Sequence, residues 1–156
     1  MSKSLKRIQA NLTDAGVAFE IMEMAGETRT AADAAREAGC EIDQIAKSII
    51  FRGEASGQTV LFVTAGGNQV DPAKASQLAG EALGRANASF VREMTGFAIG
   101  GVAPIAHKVA TLAFFDPRLL EFDTVYAAAG PPRHIFSIDP KTLAQLAAAN
   151  TSVFTG

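Results

Sequence analysis

Cys40 is the only cysteine among 156 residues. No disulfide can therefore close within the chain, and a reducing, cytoplasmic setting is the expectation. His107 and His134 are the only histidines, and two distant imidazoles with one thiol offer no zinc-ligand spacing. A nucleophilic triad needs Ser or Cys beside a histidine held by a third group, and no Gly-x-Ser-x-Gly elbow is present. No apolar run approaches membrane-spanning length. Met1-Ser2-Lys3-Ser4-Leu5-Lys6-Arg7 leads into a mixed helical pattern rather than the apolar core of a leader peptide. Excess charge of one sign is also lacking: 14 Lys and Arg stand against 16 Asp and Glu. Any nucleic-acid contact must then come from a local patch, and it should be weak and salt-sensitive. Gly53-Glu54-Ala55-Ser56-Gly57-Gln58-Thr59 lacks the lysine of a phosphate loop, and Ala65-Gly66-Gly67-Asn68 is not a dinucleotide fingerprint. Neither a metal nor an organic cofactor is expected. An enzyme built from what remains works mainly by positioning and backbone polarisation.

What is present is an ordinary globular balance, 48% hydrophobic and 19% charged, with length enough for one domain spanning residues 1–156. Leu5, Ile8, Leu12 and Ala15 recur at helical spacing, and Gly16 stops the helix. Val17 to Met24 alternates as a strand. Thr30 followed by Asp33 opens an alanine-rich helix that Gly39 ends. Ile42 to Ala46 adds a turn before a β-branched strand, Ser48 to Phe51, and Gly53 to Gly57 turns the chain into a returning strand, Thr59 to Ala65. Asp71-Pro72 and Asp139-Pro140 each read as N-cap plus first helical residue. Between them the pattern predicts a weak strand near Ala86–Phe90, a short helix near Val91–Thr95, and strands over Val109–Phe115, Thr124–Ala129 and Ile135–Ile138. Hairpins interrupted by helices at irregular intervals argue for an α+β fold with a mixed, largely antiparallel sheet.

Two stretches carry chemistry. In Ile45-Ala46-Lys47-Ser48-Ile49-Ile50-Phe51 one charge interrupts an apolar run. Lys47 reads either as a lysine that snorkels to water at the start of a strand or as a cation at a pocket mouth, holding a phosphate or carbonyl oxygen. Gly100-Gly101-Val102-Ala103-Pro104 reads either as a tight connection or as backbone donors aimed at an acyl oxygen. Thr30 and Asp71 read as helix caps, with Thr30 able to serve a pocket rim as well. His107 and His134 read as surface or structural histidines, and Cys40 as an incidental thiol.

Taken in order, these pieces resemble the YbaK/prolyl-tRNA editing-domain family of aminoacyl-tRNA deacylases. The matching residues are Thr30 in Glu27-Thr28-Arg29-Thr30-Ala31, Lys47 in Gln44-Ile45-Ala46-Lys47-Ser48-Ile49, and Asp71 with Lys74. Thr95-Gly96-Phe97 follows, then the Gly-x-x-x-Pro loop Gly100–Pro104 and a late Ala129-Gly130. The resemblance covers roughly residues 17–147. It implies a curved, mixed, barrel-like sheet surrounded by helices, and hydrolysis of the ester joining a wrong amino acid to the terminal adenosine of a tRNA. By that resemblance Lys47, Gly100, Gly101 and Val102 are the catalytic candidates, and Thr30, Ile49, Pro104 and Ala106 the pocket wall. Partners would be mischarged tRNA and, transiently, an aminoacyl-tRNA synthetase, with no membrane involved. Ala106 stands where many members have glycine, and Gly130-Pro131-Pro132-Arg133-His134 replaces a more glycine-rich approach to the last strand; both bear on which amino acid is removed. Two readings from other classes stay open: a non-catalytic RNA- or nucleotide-binding module, and a small-molecule esterase. Basic residues at the pocket mouth would favour tRNA, and Arg29, Lys74, Lys108 and Arg133 are the candidates.

Overall fold

In the computed structural model, which describes residues 2–26 and 30–156, the chain opens with α1 (Lys3–Asp14). Ser2 Oγ accepts a hydrogen bond from Leu5 N at 3.1 Å, satisfying one orphan donor, and Leu5, Ile8 and Leu12 are buried on one face. Then follow β1 (Glu20–Glu23), α2 (Ala31–Ala38), a 3-10 turn (Ile42–Gln44), β2 (Ile45–Gly53), β3 (Thr59–Ala65) and α3 (Pro72–Ala79). The second half is β4 (Leu83–Arg85), α4 (Ala88–Thr95), β5 (Leu112–Phe115), a 3-10 turn (Pro117–Glu121), β6 (Val125–Ala128), β7 (His134–Ile138), α5 (Pro140–Leu146) and β8 (Ala149–Thr151).

The strands form one open mixed sheet in the order β1-β7-β6-β2-β3-β5-β8, with β4 also paired to β2. Four pairings are antiparallel and three parallel. β2 and β3 form the hairpin that the sequence predicts, and every residue of β3 is buried. Two departures have local causes. The strand expected near Ala86–Phe90 is instead β4, three residues earlier, because Asn87 caps α4, its side chain accepting from Phe90 N at 2.8 Å. The strand expected from Val109 starts only at Leu112; Val109 is exposed, and its N–H closes back on the Met94 carbonyl.

Alternation along β2 divides the core. Ala46 and Ile50 pack with α1, Val91, Phe97 and Val102 on one face of the sheet. Ile49 and Phe51 pack with Val60, Phe62, Phe114 and Phe154 on the other. There Phe62 stacks on Phe114 at 5.3 Å between ring centroids and meets Phe154 edge-on at 4.9 Å. Phe62→Ala should cost about 3–5 kcal/mol, read as a lower urea midpoint at unchanged slope. A loss below 1 kcal/mol would show that this face closes without the ring.

Candidate functional site

β2 is longer than its partners on one edge, and that mismatch creates the site. Gly53 N–H donates to Gln58 O, toward β3, while Glu54 N–H donates to Ala82 O, toward β4. Peptide groups alternate between the two edges, so those of Ser48 and Ile50 point away from β3. On that outer edge β6 is in register with Ile45–Ala46 only, and β4 with Phe51–Gly53 only. Among the described residues no strand is in register with residues 47–50 on this edge. A cleft of about 360 Å³ opens at this gap, at the small end of ligand pockets.

The cleft reaches both faces of the sheet. From one face come Thr30, Ala31 and Ala34 of the α2 region together with Lys47, Ile49 and Tyr126; from the other come Ala86, Val91, Gly100 and Val102. Thr30 serves two roles, because its hydroxyl caps α2 by accepting from Asp33 N at 3.1 Å. The preceding Glu27-Thr28-Arg29 lies outside the described residues, and with it Arg29 as a rim cation.

Lys47 is half-buried, and its ammonium donates to the Asn68 carbonyl at 2.7 Å. Burial pulls its pKa below the usual lysine value, and the Asp116 and Asp43 carboxylates oppose that shift. Both carboxylates are committed to other donors. Asp116, 2% exposed, accepts from Ala65 N, Asn68 Nδ2 and Arg118 N. Asp43 accepts from Gly67 N and from Arg118 Nε at 2.9 Å, and the guanidinium holds its pKa below the usual carboxylate value. An ammonium has three donors, and among the described residues one is used; the geometry suits a fixed cation serving an oxygen of a ligand.

The glycine stretch is a type II turn. Gly101 N–H donates to Ala98 O at 3.0 Å, and Gly100 at the third position has φ +90°, the conformation that calls for glycine there. This moves one expectation: the Gly101 N–H is spent inside the turn, so it is not a free donor. Gly101 is glycine for a different reason: a Cβ there would sit inside contact distance of the Gly130 carbonyl. Gly100 and Val102 line the cleft, and their N–H groups make no hydrogen bond among the described residues.

Pro104 is buried and Ala106 half-buried, and neither is among the cleft residues. Ala106 has φ +61°, the left-handed region in which glycine is unstrained, which gives a backbone reason for glycine at this position. His107 hydrogen-bonds the Ala103 carbonyl through Nε2 and packs edge-on against Phe97, and burial lowers its pKa. His134 pairs with Glu23 at 3.2 Å. Neither histidine lines the cleft, nor do Lys74, Lys108 or Arg133; Lys47 is the one cation among its described lining residues. Sequence reasoning missed Asn68, Asp43 and Asp116. A signal existed for the last, because Asp116-Pro117 is a third copy of the Asp-Pro cap.

The model of the aminoacyl-tRNA editing domain family matches residues 25–146. The uncharacterized protein YwhH of Bacillus subtilis (strain 168) is 32% identical over 142 residues, covering 91% of this chain and 90% of YwhH. A crystal structure described as a candidate trans-editing enzyme for prolyl tRNA synthetase is 40% identical. It superposes with a TM-score of 0.92 and covers 100% of this chain and 99% of its own. A scaffold protein used for computational epitope grafting has the same TM-score and coverage at 37% identity.

The two glycines of the turn should respond differently to a methyl group. Gly101→Ala should lower the melting temperature well beyond Gly100→Ala, because the first meets backbone and the second open space at the cost of a strained φ. Equal melting shifts would contradict the close approach of Gly101 to Gly130.

Proposed function

Because the chain belongs to the aminoacyl-tRNA editing domain family, we propose that it is a free-standing deacylase, hydrolysing the ester between a small wrong amino acid and the terminal adenosine of a tRNA in the cytoplasm. The observation that carries the reading is the cleft itself: Lys47 from one face of the sheet and Gly100 with Val102 from the other line one cavity.

An aminoacyl ester is already activated, so a site need only orient water and polarise one carbonyl. The water attacks the carbonyl carbon, the negative oxygen is met by the Gly100 and Val102 N–H groups, and the carbon–ribose oxygen bond breaks. The departing ribose oxygen takes up a proton. Lys47 anchors an oxygen of the terminal nucleotide or the acyl carbonyl. Asp43 and Asp116 are occupied by donors, so the substrate's own hydroxyl or α-amino group positions the water. The apolar wall of Ile49, Ala34, Val91 and Ile135 sorts acyl groups by size. With one lining cation, preference for tRNA over a simple ester rests on the family and on contacts beyond the cleft, including a transient synthetase partner.

The test is a deacylation screen of tRNAs charged with Ala, Ser, Thr and Cys. Lys47→Ala should lower the rate at least about 100-fold, in the range found for losing one transition-state donor, with the circular dichroism and melting curve of the parent. Full activity in a folded variant would remove Lys47 from the site. Cys40→Ser should leave the rate unchanged, and a large loss would revive thiol chemistry. Ala106→Gly should leave the ratios among the four charged tRNAs unchanged, since this side chain lies off the cleft; altered ratios would return position 106 to the pocket wall.

A further inference from the structure

The loop that carries Gly100 and Val102 has few regular contacts of its own. No helix or strand runs between Thr95, the end of α4, and Leu112, the start of β5. Two main-chain bonds close its base, from Lys108 N–H to the Thr95 carbonyl and from Val109 N–H to the Met94 carbonyl, and a further fastening comes from the other end of the sequence. Arg7 on α1 donates from Nε to the Ala106 carbonyl at 2.9 Å and from Nη2 to the Thr95 carbonyl at 3.0 Å. Its guanidinium lies 4.4 Å from the centre of the Phe97 ring. Gly96 makes the room: a Cβ there would run into the Arg7 guanidinium. One planar cation thus joins the two stems of the segment, eleven residues apart in sequence, and stacks on the aromatic ring between them.

We propose that Arg7 is a positioning residue for the deacylation site, a clamp that holds the Gly100–Val102 turn at the cleft from outside it. Arg7 is not among the cleft residues, so it acts through the loop and not on substrate. It also lies before residue 25, where the match to the family begins, whereas the carbonyls and the ring it holds lie within the matched residues. Geometry accounts for the choice of arginine. The rigid fork serves two carbonyls at once while its plane stacks on Phe97. A lysine offers a point charge and reaches one carbonyl. His107 completes the arrangement from within the loop, bonding Ala103 O and packing edge-on against the same Phe97 ring. With the clamp open, only the main-chain bonds from the Lys108 and Val109 N–H groups to the Thr95 and Met94 carbonyls still tie the stems, and the N–H groups of the turn lose their aim. Misplacement by even about 1 Å is costly to a positioned reaction.

The inference rests on the deacylase reading for its kinetic consequence, but part of its test needs no substrate. Arg7→Ala and Arg7→Lys are made in the full chain. In each, amide hydrogen exchange over residues 97–105 should quicken at least tenfold while β3 stays protected. With charged tRNA, kcat should fall about tenfold or more with KM changed less than twofold. Guanidinium ion at low millimolar concentration should restore part of the rate of Arg7→Ala. That rescue separates a vacated clamp from a weakened fold, because guanidinium does nothing to restabilise the latter. Should Arg7→Ala not fold, Arg7→Lys carries the same exchange and kinetic expectations. Parent-like exchange across the loop in a folded variant overturns the clamp, as does a rate loss that follows the unfolded fraction and that guanidinium does not relieve. If the parent deacylates none of the charged tRNAs, the functional reading fails, and the exchange result alone still decides whether Arg7 holds the loop.

Discussion

The divided outer edge of β2 is the constraint on which the site depends. Backbone N–H and C=O groups in a folded chain need partners, and a nine-residue strand in mid-sheet would ordinarily find them on both sides. Here β3 pairs with one edge from Ala46 to Arg52, whereas β6 and β4 share the other and leave residues 47–50 between them. Neither neighbour can close the gap. β6 ends at Ala128 and turns at Ala129-Gly130, and the chain beyond β4 is committed to α4 by the Asn87 cap. The interruption therefore does two things at once. It exposes main-chain polar groups within an apolar wall, and it lets side chains from opposite faces of one sheet meet a single ligand.

Charge around this gap is arranged to hold Lys47 rather than to neutralise it. The ammonium has no direct carboxylate partner among the described residues. Its one bond goes to the Asn68 carbonyl, with the fields of Asp116 and Asp43 behind it. Those two acids are linked through Arg118, which takes Asp43 by its side chain and Asp116 by its backbone N–H. With their oxygens taken up by these donors, the two acids form a rigid frame for the lysine. On the proposed reading a division of labour follows: the protein supplies cation, donors and walls, and the reacting proton is left to the substrate and water.

How much of this was legible in the sequence depended on the range of the determining interaction. Local signals read well. Asp71-Pro72 and Asp139-Pro140 cap helices, Gly39 ends α2 in the left-handed region, and the β2–β3 hairpin lies where the turn residues place it. The short strand β4 was invisible because Leu83-Gly84-Arg85 has neither alternation nor β-branching; pairing with the end of β2 makes it a strand. Val109-Ala110-Thr111 is apolar enough to suggest a strand, yet tertiary contacts to the end of α4 hold its start elsewhere. At the site, Lys47 and Gly100 stood out as a charge and a glycine pair in telling places. The open edge at Ser48, the Asn68 carbonyl and the two acids depend on registers between distant segments. Arg7 was hidden for the same reason, its carbonyl partners lying 88 and 99 residues away.

The walls of the cleft set what kind of selectivity a deacylase of this design can have. Ala31, Ala34, Ala86 and Ala128 leave room, while Ile45, Ile49, Val91 and Ile135 bound it. All offer apolar surface, and a methylene gained or lost against such a wall is worth only about 1–3 kcal/mol. A wall of this kind sorts by size and does not read a single side chain. Polar reading falls to the Lys47 ammonium, the Thr30, Ser48 and Tyr126 hydroxyls, the open main chain of β2 and the donors of the turn. On the proposed reading those groups meet the parts that every aminoacyl ester shares: carbonyl, amine and ribose. Chemistry common to all substrates is thus recognised by fixed polar groups and chemistry that differs by space alone. On the proposed reading this makes the cleft a second sieve, hydrolysing whatever small acyl group fits and leaving the larger, correct one to be excluded by bulk.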